Sequence, residues 1–196
     1  EYTGRGVSYC ATCDGAFFRN RQLIVVGGGD SALQEALFLT KFASTVTIVH
    51  RREELRASVA LQTKAKANPK IRFIYDTVID EVKGENGLTN GVTLRNLKTN
   101  ERSAMPIDGV FIFIGYDPNS AIFGDQLALD AAGYLNVSAD HRTSVEGVFA
   151  GGEIHDQTFR QAITASGQGC AAALMTIKWV DDQEVLQPLD DVAVTQ

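Results

Sequence analysis

The sequence contains little cysteine and no long hydrophobic run. Among 196 residues there are three cysteines, one tryptophan and four prolines. Three cysteines are too few for a disulfide framework and favour a reducing compartment, so we expect a cytoplasmic protein with one redox or metal-binding pair. No apolar stretch reaches the roughly 18 residues that a membrane-spanning helix needs. The first residues, EYTGRGVSYC, also lack the basic and then hydrophobic segments of a signal peptide.

Positive charge is scarce as well. The 18 Lys and Arg residues are outnumbered by 24 Asp and Glu residues, which gives a formal net charge of −6. No long basic run is present that could follow a nucleic-acid backbone or an anionic membrane, so we expect neither as a partner. Hydrophobic residues make up 44% and charged residues 21% of the sequence. This composition excludes a disordered or collagen-like chain and indicates a globular one.

Residues 22–49 predict a β–α–β unit. A β-branched run at residues 22–26 ends in three glycines, apolar residues then recur at helical spacing, and a second β-branched run covers residues 46–49. A right-handed crossover makes the two strands parallel neighbours, with Gly27 and His50 at the same carboxyl edge. Ligands of open α/β sheets bind at that edge.

The glycines form a dinucleotide-binding pattern, Gly27-x-Gly29-x-x-Ala32, between a predicted strand and a predicted helix. The first glycine makes the turn, the second lets a pyrophosphate approach the backbone, and Ala32 permits close packing of helix on strand. The alternative is a turn that serves packing alone. A similar pair, Gly167 and Gly169, follows no strand, so we interpret it as small residues that let a helix pack closely or approach a ligand.

A basic cluster, His50-Arg51-Arg52 with Arg56, stands where an NAD site normally has a carboxylate for the ribose 2′-hydroxyl. Guanidinium groups match a phosphate in a bidentate way. The cluster therefore predicts the 2′-phosphate of NADP(H) as its ligand. The alternative is a solvated basic start of a helix, balanced by the two glutamates that follow.

Two of the cysteines, Cys10 and Cys13, have the spacing of a short redox disulfide. Zinc would need two further ligands, and the remaining cysteine and histidines do not have the required spacing. A pair of inert thiols is the other alternative. Asp14 could transfer the proton that accompanies thiol chemistry, or could cap a turn. Cys170, among small residues, is predicted to be a small core residue.

The middle of the chain predicts mixed structure. A polar segment at about 53–68 favours a helix, and alternating segments at 71–75, 78–82 and 92–97, separated by Asn-Gly turns, predict an antiparallel hairpin or meander. Residues 110–115 are apolar on both faces, as in a strand of a buried parallel sheet, and we expect them to return to the first sheet.

The last third changes character near residue 118, where we place a domain boundary. It predicts two short strands, at 134–137 and 147–150, and a helix from about 161 to 179. Residues 181–196 are acidic and are predicted to form a loose tail.

The motifs together resemble those of bacterial-type, low-molecular-weight NADPH-dependent thioredoxin reductases. They are Gly6-Val7-Ser8, Cys10-Ala11-Thr12-Cys13-Asp14-Gly15, Gly27-Gly28-Gly29-Asp30-Ser31-Ala32, His50-Arg51-Arg52 with Arg56, Gly147-Val148-Phe149-Ala150 and Arg160-Gln161-Ala162. The resemblance extends from about Gly4 to Trp179. It implies an α/β protein: a Rossmann-like, three-layer NADPH domain with an antiparallel meander at residues 1–118, and the C-terminal part of an FAD-binding α/β domain at 119–180.

The resemblance also implies an activity, cofactors and partners. Electrons pass from NADPH through FAD to the cysteine pair and on to thioredoxin, in a homodimer whose domains swivel about hinges, here residues 3–6 and 116–119. The family's N-terminal part, with its own FAD motif, is not found in this sequence, so we expect a fragment of a longer protein. A related flavin-dependent thiol–disulfide oxidoreductase with another partner, or a non-catalytic NADP(H)-binding module, are the alternatives.

The resemblance assigns the site residues as follows. Cys13 is the flavin-proximal sulfur and Cys10 its exchange partner. From its place next to Cys13, we predict Asp14 as the third catalytic residue. Glu153 and Gln34 depart from the family pattern, which has Asp and Glu there. The cofactor contacts that we predict are Gly27, Gly28, Gly29, Asp30, Ser31, Ala32, His50, Arg51, Arg52, Arg56, Gly115, Gly152, Glu153, Arg160, Gln161 and Ala162.

Overall fold

The computed structural model describes residues 1–186, with side chains to residue 183. The chain divides into two compact units, Glu1–Gly115 and a second that begins at Tyr116. The predicted tail at 181–196 overlaps the end of a long helix, and its residues from 187 onward lie outside the described residues. No helix among the residues described is both long enough and apolar enough to cross a membrane.

The first unit is built on a five-stranded parallel sheet in the order β1-β8-β2-β3-β4. Its strands are β1 (Val7–Ser8), β2 (Gln22–Val26), β3 (Thr45–Val49), β4 (Ile71–Ile74) and β8 (Gly109–Ile112). The parallel pairing of β2 with β3 confirms the predicted β–α–β unit. The pairing of β8 with β2 confirms that the apolar segment near residue 110 returns to the first sheet.

A second sheet, antiparallel and three-stranded, covers one face of the parallel sheet. It consists of β5 (Thr77–Glu85), β6 (Leu88–Asn96) and β7 (Arg102–Pro106). Helices cover the opposite face: α1 (Ala11–Asp14), α2 (Asp30–Leu39) and α3 (Val59–Ala67). Ile24 and Val110 of the parallel sheet pack on Val92 of the meander, whereas Leu23 and Phe111 contribute to the core beneath the helices. The predicted three-layer α/β fold is thus confirmed.

Two predictions for this unit were wrong in detail. Of the segment predicted at 71–75, residues 71–74 belong to the parallel sheet as β4, not to the antiparallel meander, because they pair with β3. The helix predicted from about residue 53 begins only at Val59. The preceding residues form an irregular loop because their backbone bonds to the glycine turn: the N–H groups of Arg56 and Ala57 donate to the carbonyl oxygen of Gly28.

The second unit contains one long helix, α4 (Ala162–Leu186), which extends beyond the predicted end at residue 179. The strands predicted at 134–137 and 147–150 are wrong. Each segment makes one isolated bridge within the described residues, Leu129 with Leu135 and Arg142 with Phe149. Each is held otherwise by irregular turns, since the N–H of Leu135 donates to Ile154 and that of Ala150 to His141.

Cys170 was predicted to be a small core residue, and this was wrong: it is exposed on α4 with a free thiol. Gly167 and Gly169 lie in α4, but a Cβ at either position would meet no atom within 4 Å among the described residues, so the close packing interpreted for them is not seen there. The backbone of Gly151 lies so close to Gln168 that a Cβ on Gly151 would be 2.6 Å from the carbonyl of Gln168.

Candidate functional site

The glycine turn, residues 27–29, connects β2 to α2, and the backbone of its last glycine is uncovered. Gly27 has φ +145, and a Cβ there would overlap the carbonyl oxygen of Phe113 and lie 2.8 Å from the Cβ of Ala32. Ala32 therefore provides the close helix–strand packing that the motif predicts. At Gly29 a Cβ would meet no atom within 4 Å, which leaves open space at the start of α2. Open backbone at a helix start can accept a phosphate.

A pair of alanine substitutions distinguishes these two glycines. We expect Gly27→Ala to reduce the free energy of unfolding by about 2–4 kcal/mol. The alanine would have to keep the positive φ of Gly27, and its Cβ would clash with the carbonyl oxygen of Phe113. Gly29→Ala is the control, since its φ of −94° is accessible to alanine and nothing surrounds its Cβ. Urea denaturation followed by far-UV circular dichroism measures both. Equal effects of the two substitutions would contradict this account of the turn.

A cavity of about 550 Å³ lies at the carboxyl edge of β2, β3 and β8. Gly27, Gly28, His50, Arg51 and Arg56 line it. So do the carboxylates of Asp80 and Glu81 on β5, and apolar residues of β5 and β8. The geometry thus brings the glycine turn and two of the three predicted arginines to one cavity. The other cofactor residues predicted in this unit do not line it: Gly29, Asp30, Ser31, Ala32, Arg52 and Gly115.

Residues 50–58, here called the basic loop, connect β3 to α3 and carry these arginines on the surface. His50 at its start is only 5% exposed, and its Nε2 lies 3.1 Å from the carbonyl oxygen of Glu54. Burial lowers the pKa of His50, and the charges of Arg56, Arg52 and Arg51 lower it further against the hydrogen bond to Glu54. The ring is therefore neutral at neutral pH.

At the other end of the loop, the Ser58 N–H donates to Oδ1 of Asp30 at 2.6 Å. Asp30 and Ser31, both predicted cofactor contacts, are exposed on the first turn of α2.

Cys10 and Cys13 form a disulfide bond. Cys10 precedes α1, and its Sγ accepts a hydrogen bond of 3.1 Å from the Cys13 N–H. The Ser8 hydroxyl accepts the Cys10 N–H and donates to the Cys10 carbonyl oxygen, which fixes the backbone before the pair. Asp14, half-buried, borders a separate cavity of about 440 Å³ beside β1 together with Arg5 and Phe17.

The other predicted cofactor residues lie in the second unit. Gly152 has φ +90, and its N–H donates to the side-chain oxygen of Gln168 on α4 at 2.8 Å. Glu153 is exposed. Arg160, Gln161 and Ala162 lead into α4, and the Gln161 amide donates to the Arg160 carbonyl oxygen.

Arg160 is held tightly from several sides. Its backbone has φ +49, and its guanidinium donates to the hydroxyl of Tyr134 at 3.2 Å and stacks over Tyr116 at 5.1 Å. Its Nε is buried and has no hydrogen-bond partner among the residues described. A buried donor without a partner is rare, and an acceptor from a bound group or an ordered water would satisfy it.

Sequence reasoning missed Asp156, which shapes the turn before Arg160. Its buried carboxylate accepts the N–H groups of Phe159, Thr158 and Arg160. Burial alone would raise the pKa of Asp156, but these three donors outweigh it, so the pKa lies below its ordinary value. The local signal was an Asp followed by a polar turn just before a predicted helix, a pattern typical of a capping carboxylate.

A disulfide of C-x-x-C spacing, a glycine turn that opens a helix and a basic loop in one α/β unit are features of the class of nucleotide-dependent disulfide oxidoreductases. Residues 1–169 match the family described as Pyridine nucleotide-disulphide oxidoreductase, and the chain belongs to it.

Within that family, the chain is similar to thioredoxin reductases. It is 52% identical to that of Streptomyces coelicolor over 96% of this chain and 57% of the relative, and 50% identical to that of Mycolicibacterium smegmatis over 93% and 58%. The crystal structure of thioredoxin reductase from Streptococcus pyogenes, 44% identical, superposes with a TM-score of 0.87 over 92% of this chain and 59% of that one. The resemblance drawn from the motifs is confirmed, and the chain spans less than three-fifths of the length of these relatives.

Proposed function

We propose that the chain is part of an NADPH-dependent thioredoxin-disulfide reductase that uses FAD. The observation that carries this proposal is the Cys10–Cys13 disulfide, which belongs to the same unit as the glycine turn and the basic loop. Residues 1–118 are the NADPH domain in this proposal, and residues 119–180 are the C-terminal part of the FAD domain. The partner is a thioredoxin or a thioredoxin-like protein, and the enzyme works as a cytoplasmic homodimer.

The residues of the first unit fit NADPH. The open backbone at Gly29 and the start of α2 offer N–H groups to a pyrophosphate. Arg51 and Arg56 offer guanidinium groups beside the cavity to the 2′-phosphate. Residues 50–52, directly after β3, include no carboxylate of the kind that holds the 2′-hydroxyl of an unphosphorylated ribose. NADPH, when bound, supplies a hydride.

The residues of the second unit fit FAD. The buried Nε of Arg160 is a donor that needs an acceptor, and its side chain is already oriented by Tyr134 and Tyr116. Gly152, Glu153, Gln161 and Ala162 complete the set that we assign to this cofactor. FAD, when bound, relays two electrons between NADPH and the disulfide.

The cysteine pair carries the exchange chemistry. Two electrons and two protons convert the disulfide to a dithiol, and Asp14 is placed next to Cys13 to transfer one of the protons. The hydrogen bond from the Cys13 N–H favours the thiolate form of Cys10. A thiolate of the pair attacks the disulfide of the partner, the second thiol displaces the mixed disulfide, and the partner leaves as a dithiol while Cys10–Cys13 reforms.

The number of free thiols tests the proposal. The oxidised chain has one free thiol, Cys170, and two cysteines in the disulfide. When NADPH is added without oxygen to a flavin-loaded protein that contains this chain, the cysteines that an alkylating maleimide labels should increase by two per chain. NADH at the same concentration is the control and should act far more slowly. A thiol count that stays constant with NADPH would favour a non-catalytic NADP(H)-binding module instead.

A further inference from the structure

The two arginines that line the cavity depend on the backbone of the basic loop for their placement. Both side chains are long and exposed, so their own packing does not fix them. The loop is not helical before Val59, so no regular hydrogen-bond ladder holds it. Other contacts must therefore fix the loop in front of the glycine turn.

His50 anchors the start of the loop. Its Nε2 donates to the carbonyl oxygen of Glu54, because the ring is neutral and the carbonyl can only accept. This hydrogen bond joins residue 50 to residue 54 and so closes the short segment that contains Arg51. The opposite side of the ring lies against Gly28, where any Cβ would overlap it. The imidazole thus joins the loop to the glycine turn, and it is 5% exposed, whereas the side chains of Arg51 and Arg56 are exposed.

Asp30 anchors the end of the loop. Its Oδ1 accepts the Ser58 N–H at 2.6 Å across 28 residues of sequence. The carbonyl oxygen of Gly28 supports the same region by accepting the N–H groups of Arg56, at 2.7 Å, and of Ala57, at 3.1 Å. Two side chains take part in this anchor: that of Asp30, on the first residue of α2, and that of Gln62 on α3, whose amide donates to the carbonyl oxygen of Ala57 at 2.8 Å.

We propose that His50 and Asp30 are positioning residues that set the preference for a 2′-phosphorylated adenosine by holding Arg51 and Arg56 at the cavity. The inference rests on the proposed NADPH site. A loop released at either end loses the ordered placement of its guanidinium groups, and a ligand must then restore that order at an entropic cost. Only ligands that bind through those groups bear this cost, so ligands without a 2′-phosphate are affected much less.

Titration calorimetry on the full chain tests the inference with two probes, adenosine 2′,5′-bisphosphate and adenosine 5′-monophosphate. His50→Phe keeps a ring but removes the donor, and Asp30→Ala removes the acceptor. Each should lower the ratio of the two affinities about tenfold, the usual effect of one lost hydrogen bond. His50→Gln retains an N–H donor and Asp30→Asn retains the acceptor oxygen, so both should restore most of the ratio.

The results separate this inference from the proposed function. An equal loss of affinity for both probes would mean that the two residues only stabilise the fold, and the inference would be wrong. An unchanged ratio in Asp30→Ala, a surface substitution that should not disturb folding, would also overturn it. If the unmodified chain did not prefer the bisphosphate, the proposed NADPH site would be wrong, and the inference with it.

Discussion

Cys13→Ser is expected to abolish thioredoxin reduction, with a loss of at least about a thousandfold in turnover. The substitution removes the disulfide, because a serine hydroxyl cannot form a bond of this kind with Cys10. The variant therefore has no disulfide that can take up two electrons and pass them to the partner. Transfer from NADPH to the flavin does not need the cysteine pair and should continue. Reduction of ferricyanide by NADPH measures that first step, and insulin reduction coupled to thioredoxin measures the whole reaction.

Cys170→Ser is the matched control for this experiment. It exchanges the same atoms at an exposed, free cysteine of the second unit, so both activities should stay unchanged. Thioredoxin turnover that persisted in Cys13→Ser would show that electrons leave the protein by another route. The proposed relay would then be wrong, whatever the cofactor content of the protein.

Replacing Arg51 and Arg56 together by alanine is expected to reduce the preference for NADPH over NADH by about a hundredfold or more. Both residues border the cavity that contains the glycine turn, and a charge-assisted bond to a phosphate is stronger than a neutral one. The affinity for NADH should change little, because that ligand has no 2′-phosphate. Steady-state kinetics with both nucleotides gives the ratio of kcat/KM values directly.

Arg72→Ala controls for the loss of positive charge. Arg72 is exposed on β4 of the same unit and does not line the cavity, so its removal tests for a general electrostatic effect on an anionic ligand. A preference ratio that fell as much in Arg72→Ala as in the double variant would contradict a specific phosphate site.

Much of the first unit could be predicted because local patterns and long-range pairing agree there. The β-branched runs of β2 and β3 flank a glycine turn and an amphipathic helix, and right-handed crossovers leave a single arrangement for such a unit. The cysteine spacing, likewise, is a local signal, and the disulfide shows that the two cysteines are paired rather than separate inert thiols. The same locality explains why the glycine turn could be placed at the carboxyl edge from sequence alone.

The errors arose where a distant partner decides the local structure. Residues 71–74 alternate like a meander strand, but β3 offers them a parallel edge. Residues 53–58 have helical composition, but the carbonyl oxygen of Gly28 and the carboxylate of Asp30 take up three of their N–H groups. No pattern within the segment records that competition. These long-range hydrogen bonds also determine the shape of the proposed phosphate site, so the site residues could be predicted from the sequence but their arrangement could not.

The second unit shows the same limit more strongly. Its two predicted strands have suitable composition, but within the described residues they find no long partner to pair with, and a strand without a ladder does not form. Small residues around Cys170 suggested a core, although they belong to a stretch of helix whose side chains include exposed Leu174 and Ile177. Composition shows which environments a residue type can occupy, but the packing neighbours in the fold determine whether that residue is buried.

The place of β8 in the sheet has a consequence for synthesis on the ribosome. β8 is the last strand of its sheet to be translated, but it lies between β1 and β2, so a nascent chain that ends before Gly109 can join only β2, β3 and β4. Until β8 emerges, β1 has no neighbour and one side of β2 presents unpaired backbone groups, the kind of edge that recruits other chains. β1, which the cysteine pair follows directly, therefore gains its parallel neighbour only when translation of this unit is nearly complete.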